Sequence, residues 1–136
     1  MNSRFNDPHR AQRDLLRGCE LLGGLPPDVL SELVAASRIV ELSANRTLYE
    51  AGELIREAHI LFNGSVKCAV SMPGGATRVI EIVQNEQLLG MGEVFSASHY
   101  ASTCSGITHA LLVAIDIRKL RDAVRRWVGK GFGFER

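Results

Sequence analysis

The chain has 136 residues, 46% of them hydrophobic and 23% charged, with a formal net charge of +1. That length fits one compact domain, and that mixture belongs to an ordinary globular protein, which excludes a predominantly disordered chain. The longest uncharged apolar run, residues 111–115, is far too short to cross a bilayer, and Met1-Asn2-Ser3-Arg4-Phe5-Asn6-Asp7 lacks the apolar core of a secretory signal, so the reading is cytoplasmic with no membrane partner.

Two helical segments are expected first. Residues 8–22 place Ala11, Leu15, Leu16, Cys19 and Leu22 at helical spacing despite Gly18, and Gly23-Gly24 ends the run. Pro26-Pro27-Asp28 starts the second helix: proline suits the first turn and a carboxylate there complements the helix dipole. Val29, Leu30, Leu33 and Val34 give that helix an apolar face.

From Arg38 the pattern turns to short β segments punctuated by glycine and asparagine, with strands expected at 38–42, 47–49, 59–63, 65–72, 77–83, 87–89, 102–108 and 111–116. In 65–71, Val66, Cys68 and Val70 alternate with Ser65, Lys67, Ala69 and Ser71, marking one buried and one wet face. Met72-Pro73-Gly74-Gly75-Ala76 is a hairpin turn. Eight short strands at this spacing imply a mainly β barrel or roll. After Asp116, an N-cap residue, helical periodicity returns: Ile117, Leu120, Val124 and Trp127 line one face and Arg118, Arg121, Asp122 and Arg125 the other. The expected organisation is a helical segment over 1–37, a β-roll over 38–116, a helix over 117–128 and a glycine-rich flexible tail over 129–136.

Charge is spread unevenly along this plan. From Ile117 to Arg136, seven basic residues stand against Asp122 and Glu135, a net of +5, which leaves −4 on the remainder. Nucleic-acid binding needs a concentrated positive face, which the body of the chain does not supply. The basic end reads as a solvated helix face. Cys19, Cys68 and Cys104 lie far apart and form no C-x-x-C pair, so they read as small buried hydrophobes in a reducing compartment rather than as a disulfide framework.

Several segments resemble one family. Tyr49-Glu50-Ala51-Gly52-Glu53 is similar to the turn after the second strand of cyclic-nucleotide-binding domains. His59-Ile60-Leu61-Phe62-Asn63-Gly64-Ser65-Val66-Lys67 looks like that family's apolar strand, glycine turn and next strand. Gly52, Gly64 and Gly90 fall where the family keeps turn glycines, and 89–103 occupies the place of its ligand-binding cassette. The resemblance covers residues 15–127 and is nearest to CRP/FNR-type bacterial transcription regulators. It implies an eight-stranded antiparallel β-roll, a double-stranded β-helix or jelly-roll, with N-terminal helices and one C-terminal helix. In those regulators a long dimerisation helix and a helix-turn-helix follow the segment that ends here. DNA is therefore expected as a partner only through a helix-turn-helix outside this sequence, and a dimer formed by this chain alone is expected to be weak or absent.

In nucleotide-binding members of the family, the cassette supplies a glutamate for the ribose hydroxyl and an arginine for the phosphate. The family spacing counted from Gly90 puts Met91 at the glutamate position and Tyr100 at the arginine position. A second register, from Gly92, restores Glu93 but shortens the cassette by two residues, and the first register is preferred because it keeps the spacing. Neither supplies an arginine, since none lies between Arg78 and Arg118. The candidate ligand-binding residues are Gly90, Met91, Gly92, Glu93, Tyr100, Ala101, Ser102 and Thr103. The resemblance thus implies a small-molecule effector, with weak binding of cyclic AMP or cyclic GMP. The Gly-x-Gly-Glu-x-Phe-Ser and Tyr-x-Ser pattern resembles the FNR-like branch, whose members respond to other signals.

No iron–sulfur cluster is expected, because Cys19 is the one cysteine near the N-terminus and a cluster needs four ligands. Any other cofactor is left open. Some family members sense gases through haem, but His9, His59, His99 and His109 show no paired metal spacing, and His99, inside the cassette, is the first haem candidate to mutate. G-x-S-x-G, P-loop and H-E-x-x-H motifs are missing, and the expectation is no enzyme. The leading function is an effector-binding sensory domain of a CRP/FNR-type regulator. The alternative is a stand-alone ligand or interaction module without DNA-binding activity.

Overall fold

A computed structural model describes residues 7–128, so the tail expected over 129–136 lies outside the described residues. Helix α1 spans Arg10–Gly18 and α2 spans Pro27–Ala35. The first helix is shorter than its periodicity suggests. After Gly18, a weak helix former, Cys19 turns to extended backbone, and leaving the helix lets both Cys19 and Leu22 reach the core. Pro27 occupies the first turn of α2, with Asp28 beside it, as the dipole favours.

Eight strands follow among the described residues: β1 (Ser37–Leu42), β2 (Thr47–Tyr49), β3 (Glu57–Asn63), β4 (Val66–Ser71), β5 (Thr77–Val83), β6 (Gln87–Leu88), β7 (Thr103–Gly106) and β8 (Ala110–Asp116). A one-turn helix, α3 (Met91–Val94), interrupts them, and α4 (Ile117–Val128) closes the sequence of elements. The strands form two four-stranded antiparallel sheets, ordered β1-β8-β3-β6 and β2-β7-β4-β5, which is the β-roll expected from the sequence. The turn at Met72–Ala76 joins β4 to β5, closed by the Met72 N–H donating to the Ala76 carbonyl at 2.7 Å.

Strand β8 sits at the centre. It pairs with both β1 and β3, and it packs against α2 and α4 on its outer side. With both faces covered, Leu112, Val113, Ala114 and Ile115 are all fully buried, which explains a continuous apolar run where a half-wet strand would alternate. Strand β5 is the opposite case. It lies at a sheet edge, paired to β4 alone, and leaves Val79, Ile80 and Ile82 about half exposed, at 46%, 54% and 56%. Asp116 caps α4 as its position suggests: its Oδ1 accepts from the Arg118 N–H at 2.9 Å and the Lys119 N–H at 3.3 Å. Among the described residues no helix is long and apolar enough to cross a membrane.

Gly64, in the β3–β4 turn, has φ +89°, and a Cβ built there would overlap the His109 carbonyl oxygen and lie 2.7 Å from the Ala110 Cα. Only glycine lets the chain turn this close to the start of β8. Gly74 has a similar φ of +94° but meets nothing within 4 Å. Gly64→Ala is therefore expected to destabilise by roughly 3 kcal/mol or more, against about 1–2 kcal/mol for Gly74→Ala, as read from urea unfolding midpoints.

His59 on β3 is 6% exposed, and burial pushes its imidazole down to about 4, outweighing the Glu57 carboxylate 4.0 Å away. The folded protein thus binds fewer protons at this site than the unfolded chain does. Stability from the neutral ring is complete above the ordinary value of 6.5 and is lost as pH falls toward 4, by up to about 3 kcal/mol. His59→Gln is expected to flatten stability between those two pH values, measured by denaturant titration at each.

Candidate functional site

The chain between β6 and β7 forms the cassette. Gly90 takes the left-handed conformation at φ +61°, which lets the backbone leave β6 and enter α3. The single turn is held by the Val94 N–H donating to the Gly90 carbonyl at 2.9 Å, and the Ala97 N–H donating to the Glu93 carbonyl at 2.8 Å. The Ser96 hydroxyl also donates to the Gly92 carbonyl. Glu93 then ties the two ends of the cassette together: its Oε2 accepts the Ala101 backbone N–H at 2.5 Å.

Arg121 of α4 fixes the cassette from outside. Its guanidinium donates to the Val94 carbonyl and to the Ala97 carbonyl, each at 2.7 Å. Periodicity alone assigned Arg121 to the wet face of this helix. The structure corrects that: the side chain is part-buried and supplies charged donors to the last carbonyl of the one-turn helix and to the Ala97 carbonyl just after it. Other basic residues of α4 behave as a solvated face. Arg126 pairs with Glu32 at 2.8 Å and Asp122 at 3.1 Å, in partly exposed pairs.

Beneath the cassette lies a cavity of about 370 Å³, within the size range that takes small ligands. From the cassette side it is lined by Gly90, Gly92, Glu93 and Ser102. From the roll it is lined by Tyr49, Cys68, Ile80, Glu81, Gln87 and Leu88. Among the described residues the lining holds two carboxylates and no arginine or lysine.

The remaining candidates stand elsewhere. Tyr100 is buried with its ring stacked on Tyr49, centroids 3.7 Å apart and planes at 9°, and its hydroxyl donates to the Glu57 carbonyl at 2.7 Å. Burial raises its phenol to about 12. Thr103 accepts the Ala51 N–H at 3.0 Å, fastening the turn before Gly52 to the start of β7, while Ala101 contributes its N–H to Glu93. Met91 opens α3. The structure therefore gathers Gly90, Gly92, Glu93 and Ser102 at the cavity, and leaves Tyr100, Ala101 and Thr103 off its lining. The histidines line none of it: His99 is exposed beside the Ser98 hydroxyl at 2.7 Å, and His59 lies 6.0 Å from Tyr49, centroid to centroid.

Tyr49 and Cys68 come from strands that sequence reasoning did not connect to the cassette. The inward alternation of β4 marked Cys68 as buried, which was a partial signal. What no local pattern carries is its neighbour. Cys68 and Cys104, read as scattered, sit directly opposite each other on the paired strands β4 and β7. Tyr49 places its hydroxyl 3.9 Å from the Cys68 sulfur. Burial holds the Tyr49 phenol far above its usual range. The two thiols shift each other in opposite directions, the Cys104 thiol beside Cys68 lowering Cys68 while Cys104 is raised.

A family model described as "Cyclic nucleotide-binding domain" matches residues 39–126. Among solved structures, DNR from Pseudomonas aeruginosa is 22% identical with a TM-score of 0.77, over 85% of this chain and 52% of that one. The regulatory domain of Toxoplasma gondii PKA, solved with cAMP, is 18% identical with a TM-score of 0.74, over 91% of this chain and 48% of that one. The sensor domain of the transcriptional regulator DNR from Pseudomonas aeruginosa is 21% identical with a TM-score of 0.73, over 98% of this chain and 97% of that one. The chain thus spans about half the length of the first two. No curated protein matches it by sequence.

Proposed function

The chain belongs to the cyclic nucleotide-binding domain family, and from that premise we propose that it is the effector-sensing domain of a CRP/FNR-type transcription regulator. In this reading it acts in the cytoplasm, binds a small molecule that carries no strong negative charge, and catalyses no reaction. The observation that carries it is the charge of the cavity. Among the described residues Glu81 and Glu93 line it without an arginine or lysine, so a cyclic phosphate entering there forfeits a charged hydrogen bond of about 1.5–3 kcal/mol, roughly 10- to 150-fold in affinity.

The proposed roles follow from position. Ser102 offers a hydroxyl and Glu93 a carboxylate oxygen to the effector, while Gly90 and Gly92 let it approach the backbone. Met91 begins the wall, and Tyr100, Ala101 and Thr103 position it from off the lining. Since Arg121 joins the cassette to α4, an effector that shifts α3 shifts the helix that leaves the roll. That movement is the output, read by a helix-turn-helix outside these residues. Support for the sensor role comes from the extent of the likeness to the DNR sensor domain, which is matched over almost its whole length.

Calorimetric titration with cyclic AMP and cyclic GMP is expected to show no saturable binding below about 100 µM. Micromolar affinity for either overturns the proposed ligand class. An in-frame helix-turn-helix in the coding DNA after Arg136 is expected, and an immediate stop favours a stand-alone binding module instead.

A further inference from the structure

The thiols of Cys68 and Cys104 form a cluster that effector binding does not use. Residues directly opposite on antiparallel strands have Cα atoms about 4.5–5.5 Å apart, within the roughly 4.4–6.8 Å that a disulfide spans. Their exposure differs in kind. Cys68 lines the cavity although only 4% exposed overall, whereas Cys104 behind it is fully buried. Cys19 stands apart, buried against the N-terminal helices, and burial raises its thiol.

We propose that Cys68 and Cys104 are a redox-active dithiol in the cavity wall, which hydrogen peroxide entering the cavity oxidises to a cross-strand disulfide. The Cys68 sulfur attacks the nearer peroxide oxygen and the O–O bond breaks. The outer oxygen leaves as water, taking up a proton, and Cys68 becomes a sulfenic acid. Cys104 then attacks the Cys68 sulfur, gives up its own proton, and expels the hydroxyl group as a second water. Two thiols lose two electrons and two protons, and the peroxide accepts both.

The environment suits this order of events. Cys68 is the one cysteine that lines the cavity, the Tyr49 hydroxyl lies 3.9 Å from its sulfur, and Cys104, directly opposite on β7, is positioned to resolve it. The product links β4 to β7 inside one sheet, so oxidation tightens the roll without moving a strand to a new neighbour. The proposal stands apart from the effector reading. It requires solute access to Cys68 in the open cavity and does not depend on the identity of the effector.

The folded chain is treated at neutral pH with a small excess of hydrogen peroxide, denatured in an alkylating agent, digested and mapped by mass spectrometry. The expected product is a peptide pair joining Cys68 to Cys104, reversed by dithiothreitol, with Cys19 recovered alkylated. Cys68 is expected to be consumed at least about tenfold faster than Cys19. In Cys104→Ser, dimedone is expected to trap a sulfenic acid at Cys68. Recovery of Cys68 and Cys104 as free alkylated thiols, or a disulfide through Cys19, overturns the proposal. The wild-type map decides this even if the variant fails to fold. The cyclic-nucleotide titration tests the effector reading without involving these thiols, so the two can fail separately.

Discussion

The wall of the cavity has too little structure of its own to stay in place. Helix α3 is four residues long, shorter than the length at which a helix holds itself in water, and the carbonyls of Val94 at its end and Ala97 just after it need partners from elsewhere. Arg121 makes up the deficit with two charged donors at 2.7 Å. The position of Arg121 in turn depends on α4 beginning where it does, which Asp116 secures by accepting the first free amides of that helix. Strand β8 delivers Asp116 to that spot because its own residues are buried on both faces. A line of dependence thus runs from the centre of the roll, through a cap and one guanidinium, to the shape of the ligand site.

This arrangement gives a family cassette a different chemistry. In nucleotide-binding members a glutamate and an arginine together meet the ribose and phosphate. Here Glu93 has half of its carboxylate engaged by the Ala101 amide, and the face opposite carries Glu81. A site with that charge favours neutral or cationic solutes over anions. Beside it stand polarisable groups, Tyr49 stacked on Tyr100 and Cys68 paired with Cys104, so that stretch of the wall is soft and aromatic in character.

Much of the fold was legible in the sequence because its signals are local. Glycine and asparagine mark the turns, the run at 72–76 can only reverse the chain, and Asp116 precedes an apolar stripe at helical spacing. The ends of all eight strands accordingly lie within two residues of where the sequence pattern puts them, β pairing limiting the seventh to Thr103–Gly106. The first helix ended early because core burial of Cys19 and Leu22 outweighed helical periodicity. The site was less legible, for a physical reason: its lining is assembled by long-range pairing. Counting along the cassette could place Glu93 and Ser102 beside the cavity. It could not show that Tyr100 turns away to stack on Tyr49, that β4 and β7 set two distant cysteines opposite each other, or that Arg121 reaches back to the cassette instead of into water.

The central claim is that α4 and the cassette form one mechanical unit through Arg121, and amide hydrogen exchange on Arg121→Gln tests it most directly. Loss of two charge-assisted hydrogen bonds is predicted to speed exchange at Val94, Ser96 and Ala97 by about tenfold or more while leaving β8 protected as in the wild type. Unchanged exchange in the cassette, or an equal acceleration throughout the roll, would contradict it.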